Sequence, residues 1–414
     1  MTHPYVALLK DRRISVLWVG LALSLIGSEL YRVGAIWLAA ELAGPRASLV
    51  ASAQAAAILA VSVFAGPAIE AMPRGRFLIG SELITGAASA AVVVVALTTG
   101  LSFPLLVAAS VITAAFGSMG RPVLLSSLPQ LAPGRVREVN GLFDSTMRIA
   151  QAVGPLLAAA AMKIMPAIHL LTANAVSFLA SAAALAFVGR GMDRSGDAPP
   201  RAGFLQRLGR GVIAANRCPG IWGVVIVTGL RGGFYALGYM VAVPLLFSER
   251  GGSLGDVAII FGATAVTEIV STPLLVLTQP RRPLLRLYHG YALIGGGLAL
   301  LGLAASLPEA WRTPAMAACG LLIGVGNSAA GLQMMTFFAS RLADDDFAAV
   351  LRVRQVTIVG AMMLTTLAGP LILPALGTAQ TIVVSGLIAV LAGLVGALTR
   401  PARTLGPGFV PREG

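Results

Sequence analysis

Glu29, Arg32, Arg121, Asp144, Arg148, Arg231 and Glu268 fall inside stretches otherwise apolar enough to span a bilayer. A charge at the membrane centre costs roughly 2.5–3.5 kcal/mol on insertion scales, so such residues mark a pathway, a proton relay or a ligand contact. Glu29 and Arg32 stand three apart and Asp144 and Arg148 four apart, so each pair can share a helix face and neutralise itself. Arg121, Arg231 and Glu268 have no such neighbour and must pair across helices or face water. Glu29, Arg32, Arg148, Arg231 and Glu268 sit near mid-span, where a substrate and proton pathway is expected. Arg121, Asp144, Glu70 and Glu82 lie nearer the end that the basic residues assign to the cytoplasm, where gating contacts are expected. Four positive and three negative charges make a nearly balanced cavity, better suited to a zwitterionic or anionic amphiphile than to a simple organic cation. Among uncharged polar residues, Tyr31, Gln151, Asn174, Tyr235, Asn327 and Gln333 are candidates, and Tyr31, Tyr235 and Asn327 join the pathway set. Their ordinary role would be an interhelical hydrogen bond worth about 0.6 kcal/mol.

The elements that carry these residues are membrane helices. Of 414 residues 57% are hydrophobic and only 11% charged, and the mean hydropathy is +0.86. A span needs about 20 mostly apolar residues, and the sequence predicts twelve, the first Ile14 to Ala40 and the last Thr381 to Leu398. Among them are span two, Leu49 to Ala71, span five, Val139 to Met162, span seven, Ile221 to Phe247, and span eleven, Val356 to Leu376. The fold class expected is therefore an all-α integral membrane protein with two pseudo-symmetric six-helix halves. The first apolar segment is full length and lacks a small-residue cleavage site, so it is expected to remain in the chain.

Basic residues collect in alternate loops, which by the positive-inside rule puts both termini and the central linker in the cytoplasm. Arg352 and Arg354 are counted with the cytoplasmic segment before span eleven. Topology accounts for the net charge of +13 and leaves a nucleic-acid partner without support, while attraction to anionic lipid headgroups follows from it. Cys218 and Cys319 are too few and too distant for a disulfide framework or metal site, and His3, His169 and His289 do not cluster. No cofactor and no metal are expected.

The expected organisation is a first half over 1–189, a cytoplasmic linker over 190–217 rich in Gly, Pro, Asp and Arg, and a second half over 218–414. The halves echo one another. Arg137 and Gly154-Pro155 recur as Arg352 and Gly369-Pro370, Tyr31 and Gly34 as Tyr235 and Gly238, and Pro73-Arg74 as Pro280-Arg281. Duplicated six-span halves with a site between them are a transporter design. Ala150, Gly154 and Ala158 form a small-residue stripe that reads either as close packing with a kink at Pro155 or as a hinge, and Gly369-Pro370 repeats the choice.

The stretch from Gly66 to Leu78, GPAIEAMPRGRFL, resembles the signature that the major facilitator superfamily carries between spans two and three. The resemblance implies a gating role for Glu70, Arg74 and Arg76, although Glu70 replaces the usual Asp and Pro73 and Gly75 interrupt the basic run. Two further stretches, Ile26 to Gly44 and Phe116 to Ala159, resemble bacterial exporters related to the enterobactin and macrolide efflux proteins. Those exporters commonly carry an acid at the position of Ser28, whereas this chain has Glu29, and the arginine often seen after the acid of span three is missing beyond Glu82. Proline-flanked Gly154 resembles the superfamily's antiporter signature with alanines in place of several glycines.

The expectation is a monomeric, proton-coupled exporter of a small amphiphilic molecule, siderophore-like or drug-like, working by alternating access in a bacterial inner membrane. No Gly-x-x-x-x-Gly-Lys-Ser/Thr loop is present to bind nucleotide. Its coupling carboxylate is expected to be Glu29, with Arg231 as partner or as a contact to a substrate anion, and Glu268 as the next candidate. An importer or a lysolipid flippase of the same fold is the alternative within transport. From another class come a membrane sensor, which would want a soluble output domain, and an intramembrane hydrolase, which would want a nucleophile with a base.

Overall fold

The computed structural model of the chain describes residues 8–64, 72–131, 134–188, 203–278 and 280–406, without the side chains of residues 121, 126, 128–131, 136, 137 and 344. The described residues are helical throughout, joined by short turns. Two compact units result, one of residues 1–43 and 57–201 and the other of 44–56 and 202–414.

The first unit contains α1 (Arg12–Ala43), the inner part of α2 (Ser48–Phe64), α3 (Arg74–Thr98), α4 (Phe103–Leu131), α5 (Val136–Ala161) and α6 (Ile168–Val188). The second contains α7 (Phe204–Arg217), α8 (Ile221–Tyr235), α9 (Ala242–Glu249), α10 (Leu254–Val276), α11 (Pro283–Ala304) and α12 (Glu309–Ala339), then α13 (Asp344–Leu367), α14 (Gly369–Leu376), α15 (Thr378–Leu398) and α16 (Arg400–Thr404). A π-helical turn, Ala236–Val241, links α8 to α9.

Among the described residues, ten helical stretches are long and apolar enough to cross a membrane. The first, Arg12–Phe64, has 53 residues, about 80 Å at the α-helical rise, and is broken by a 3₁₀ turn at Gly44–Ala47 into α1 and α2. Helix α5 forms where the fifth span was expected, but it is not among the ten because Glu138, Asp144 and Arg148 concentrate charge on it. The helix of the eleventh span begins at Asp344 rather than Val356, and it ends at Leu367, where α14 takes over. Arg352 and Arg354 are therefore helical and not loop residues, a correction that the site below depends on. Residues 189–202, with the first part of the linker, lie outside the described residues. Its second part is α7, which packs on the start of α13 through Arg210, whose Nε lies 2.9 Å from Asp346.

Without a hydrophobic driving force between helices in lipid, close backbone approach must hold these helices together, and glycine permits it. On α1, Gly20, Gly27 and Gly34 stand seven apart and meet Ala184, Ser177 and Leu170 of α6 in turn, so the two helices run antiparallel. On α11 two such pairs face two ways. Gly290 and Gly297 receive the backbone of α12 at Gly326 and Cys319, while Gly295 and Gly302 receive that of α15 at Gly386 and Ala379.

Parallel pairs complete each unit. Trp18 donates to Thr146 Oγ1 at 2.8 Å and Glu29 lies against Gly154, so α1 and α5 ascend together. In the second unit Gly229, Gly232 and Gly233 of α8 meet Thr357, Ile358 and Ala361 of α13 in the same order. The first and fifth expected spans of both units thus pack alike, as the internal sequence echo requires.

The two Gly-Pro pairs do different work. Pro155 sits inside the continuous helix α5, whereas Gly369-Pro370 opens α14 after α13 has ended. A proline at the start of a helix costs no hydrogen bond, so the second pair marks a joint and the first a lost bond within a helix.

Candidate functional site

The first unit contains a partly open cavity of about 590 Å³, within the range of small-molecule sites. Leu21, Leu78, Leu124, Phe143 and Leu185 line it and also belong to the apolar cluster that includes Leu17 and Val188, which closes one end of the unit. Against this apolar wall stand a few polar groups, among them Ser24, Ser28, Glu82, Thr85 and Asp144.

Glu82 is the acid that the cavity holds most closely. It rises from the third turn of α3, about 12 Å along the helix from Arg74 at 1.5 Å per residue, and is partly buried. Ser24 Oγ of α1 donates to its Oε2 at 3.1 Å. A carboxylate beside the hydroxyls of Ser24 and Ser181 in a largely apolar cavity can change its protonation as the cavity fills and empties, because whatever occupies the cavity sets the cost of its charge.

Glu29 is placed differently. Arg32 Nη2 lies 2.6 Å and Arg32 Nε 2.8 Å from Glu29 Oε2, so the expected pair on one helix face forms. The stem of Glu29 packs on Gly154, where an added Cβ would overlap Glu29 Cβ. One residue is about 100° on a helix. Ser28 therefore lines the cavity while Glu29 packs against α5.

The other expected pair also forms. Arg148 Nε is 3.0 Å from Asp144 Oδ2, with the two side chains 59% and 48% exposed and Asp144 lining the cavity. A pair so exposed is worth about 0.3–0.5 kcal/mol when water reaches it. A double-mutant cycle with Asp144→Asn and Arg148→Gln is expected to return a coupling of that size in unfolding free energy. A coupling several times larger would place the pair in a dry environment.

The remaining candidates divide by unit. Tyr31 is buried and shares a 2.9 Å hydrogen bond with Ser110 of α4, and Asn174 donates to Ser89 Oγ at 3.0 Å, both interhelical fasteners. Gln151 is exposed. Arg74 begins α3 and Arg76, two residues on, is exposed. Glu70 lies outside the described residues, as does the side chain of Arg121, whose backbone belongs to α4.

In the second unit, the guanidinium of Arg231 stands 5.1 Å from the ring centre of Tyr235 and 5.7 Å from that of Tyr291, and its Nη1 donates to Asn327 Oδ1 at 3.2 Å. Tyr291 is positioned by a 2.7 Å hydrogen bond with Thr228. Glu268 is partly buried on α10, and its backbone carbonyl accepts from Ser328 Oγ at 2.9 Å. Gln333 is buried on α12. Sequence reasoning missed two residues here. From the sequence Arg354 counts with the cytoplasmic segment before span eleven, and Glu82 with the gate.

A polytopic helical membrane protein with duplicated packing and a ligand-sized cavity belongs to the class of membrane transporters. The chain is a member of the Major Facilitator Superfamily, whose family model matches residues 17–350. A sequence search among curated proteins gave no match. Solved structures similar to it include a bacterial homologue of the iron transporter ferroportin in an inward-facing state, with 16% identity, TM-score 0.72, and 94% of this chain and 99% of that chain covered. A POT family peptide transporter is similar at 13% identity and TM-score 0.72, covering 95% and 97%. A bacterial homologue of the human lysosomal transporter Spinster is similar at 14% identity and TM-score 0.69, covering 97% and 99%. At these identities the likeness shows the fold. Among the described residues there is no cluster of three or more His, Cys, Asp and Glu able to hold a metal ion.

Proposed function

We propose that this protein is a secondary active transporter that exports a small amphiphilic molecule, siderophore-like or drug-like, by alternating access in a bacterial inner membrane, as a monomer. The observation that supports this most is the cavity of about 590 Å³ with its apolar wall and single closely held acid, Glu82. The apolar body of the cargo lies against Leu21, Leu78 and Phe143, and protons entering along their gradient use Glu82 rather than Glu29, whose charge Arg32 already answers. Arg74, Arg76 and Arg121, with Glu70 and Asp144, form the cytoplasmic gate in this reading.

The test is transport by the purified protein in phosphatidylcholine vesicles under an imposed pH gradient, with siderophores, antibiotics and lysolipids as the compound sets. Accumulation that requires the gradient is the expected result. Gradient-independent equilibration of every compound would overturn proton coupling, and accumulation in the opposite direction would make the protein an importer.

The orientation has its own test. Both termini and the linker are cytoplasmic in this proposal, so a single cysteine at Ser195 is expected to escape a membrane-impermeant maleimide applied outside, whereas one at Gly252 reacts. Native Cys218 is a quiet background, since burial pushes its thiol above the ordinary range and keeps it protonated at neutral pH. Labelling of Ser195→Cys from the periplasmic side would invert the topology.

A further inference from the structure

Among the described residues of the second unit, five arginines have a buried Nε without a hydrogen-bond partner, and two of these, Arg231 and Arg354, act on one another. Nε of Arg231 and Nε of Arg354 are both buried without a hydrogen-bond partner among the described residues. The two arginines interact electrostatically with one another, and Arg354 also with Tyr291. They come within about one turn of the same depth by parallel routes. Each lies ten residues into its helix, α8 or α13, about 15 Å from the helix start. The glycine contacts that press α8 onto α13, Gly229 on Thr357 and Gly232 on Ile358, bracket Arg231 and follow Arg354 by one turn.

Two like charges held together inside a membrane protein repel, and each orphaned N–H forgoes a hydrogen bond worth having. The arrangement is more than an accident of crowding, because Arg231 is also fixed by Asn327 and by two tyrosine rings. An oxyanion would settle both costs. It accepts from two guanidinium forks at once, which is the geometry arginine offers and lysine does not.

We propose that Arg231 and Arg354 form a binding site for an oxyanion, the carboxylate or phosphate head of the transported molecule, with Asn327 and Tyr291 shaping its edge. The site rests on the transport reading for the role of its ligand as cargo, yet binding alone tests the site.

The experiment uses the full-length protein in phosphatidylcholine nanodiscs and three probes of one chain length, decanoate, decyl phosphate and decyltrimethylammonium, each below its micelle concentration. Binding is followed by calorimetry and thermal shift. Decanoate or decyl phosphate is expected to bind and raise Tm, and the ammonium probe is not. Arg354→Gln and Arg231→Gln are each expected to weaken anion binding tenfold or more, with Arg354→Lys in between and Arg403→Gln on exposed α16 unchanged. Unliganded Arg354→Gln is expected to melt no lower than the parent, since it removes a repulsion, which separates a ligand contact from a structural one. Equal stabilisation by the cation, or unchanged anion affinity in both glutamine variants, would overturn the site. Loss of anion binding upon adding phosphatidylglycerol would reassign the ligand to a lipid headgroup and overturn the cargo assignment. Anion binding without any transport in vesicles would refute the transport reading and leave the site standing.

Discussion

Replacing Glu82 by glutamine is expected to reduce gradient-driven accumulation to the level of protein-free vesicles. Coupling requires a group whose proton occupancy differs between the two ends of the cycle, and glutamine has no proton to exchange. Its shape and its hydrogen bond with Ser24 remain available, so the affinity for cargo is expected to change less than tenfold, under about 1.4 kcal/mol, and exchange of labelled for unlabelled cargo is expected to continue. Glu29→Gln is the informative contrast. It takes from Arg32 the carboxylate 2.6 Å away, so it is expected to lower Tm while leaving the pH response of transport in place. Uphill accumulation by Glu82→Gln at the parental rate and pH dependence would move coupling elsewhere, and the same loss in Glu29→Gln alone would return it to α1.

The second large effect is structural. Gly295 lies where α11 crosses α15, and a Cβ there would meet the backbone nitrogen of Val390 and lie 2.6 Å from the carbonyl oxygen of Gly386. Both obstacles are main chain, so no rotamer change relieves them, and Gly386 crowds Ala299 from the other side in the same way. Gly295→Val is expected to cost about 3 kcal/mol or more, the upper end of the usual range for overpacking, since its neighbours are main chain. Fluorescence size-exclusion profiles of detergent extracts should show aggregated rather than monodisperse protein. Gly296, one residue away, has open space at its Cβ position and supplies the control, with Gly296→Ala expected to behave as the parent. A monodisperse Gly295→Val of parental Tm would mean that α11 and α15 are not so close.

Helical content, membrane class and the pairing of neighbouring charges were legible in the sequence because they depend on local composition and spacing. An apolar run of sufficient length has no other way to satisfy its backbone in lipid, and charges three or four apart share a face on any helix. Glu29 with Arg32 and Asp144 with Arg148 illustrate this. The glycine echo between halves carried further, since equivalent helices in each unit pack through it.

What the sequence left open was azimuth and partner. Hydropathy averages over a window, so it located α1 without telling that Ser28 faces the cavity and Glu29 faces α5. The same averaging leaves Arg354 outside the eleventh span, because its charge and that of Arg352 cut the apolar run at Val356, whereas α13 continues through both from Asp344. Only the packing of α8 on α13 brings Arg354 into reach of Arg231, and only the packing of α1 and α3 on the same helix, α6, sets Glu82 against Ser24. One-dimensional order determined which segments enter the membrane. The contacts among residues far apart in the chain decided which of their charges face a cavity, since a helix exposes every azimuth equally until a neighbour covers one.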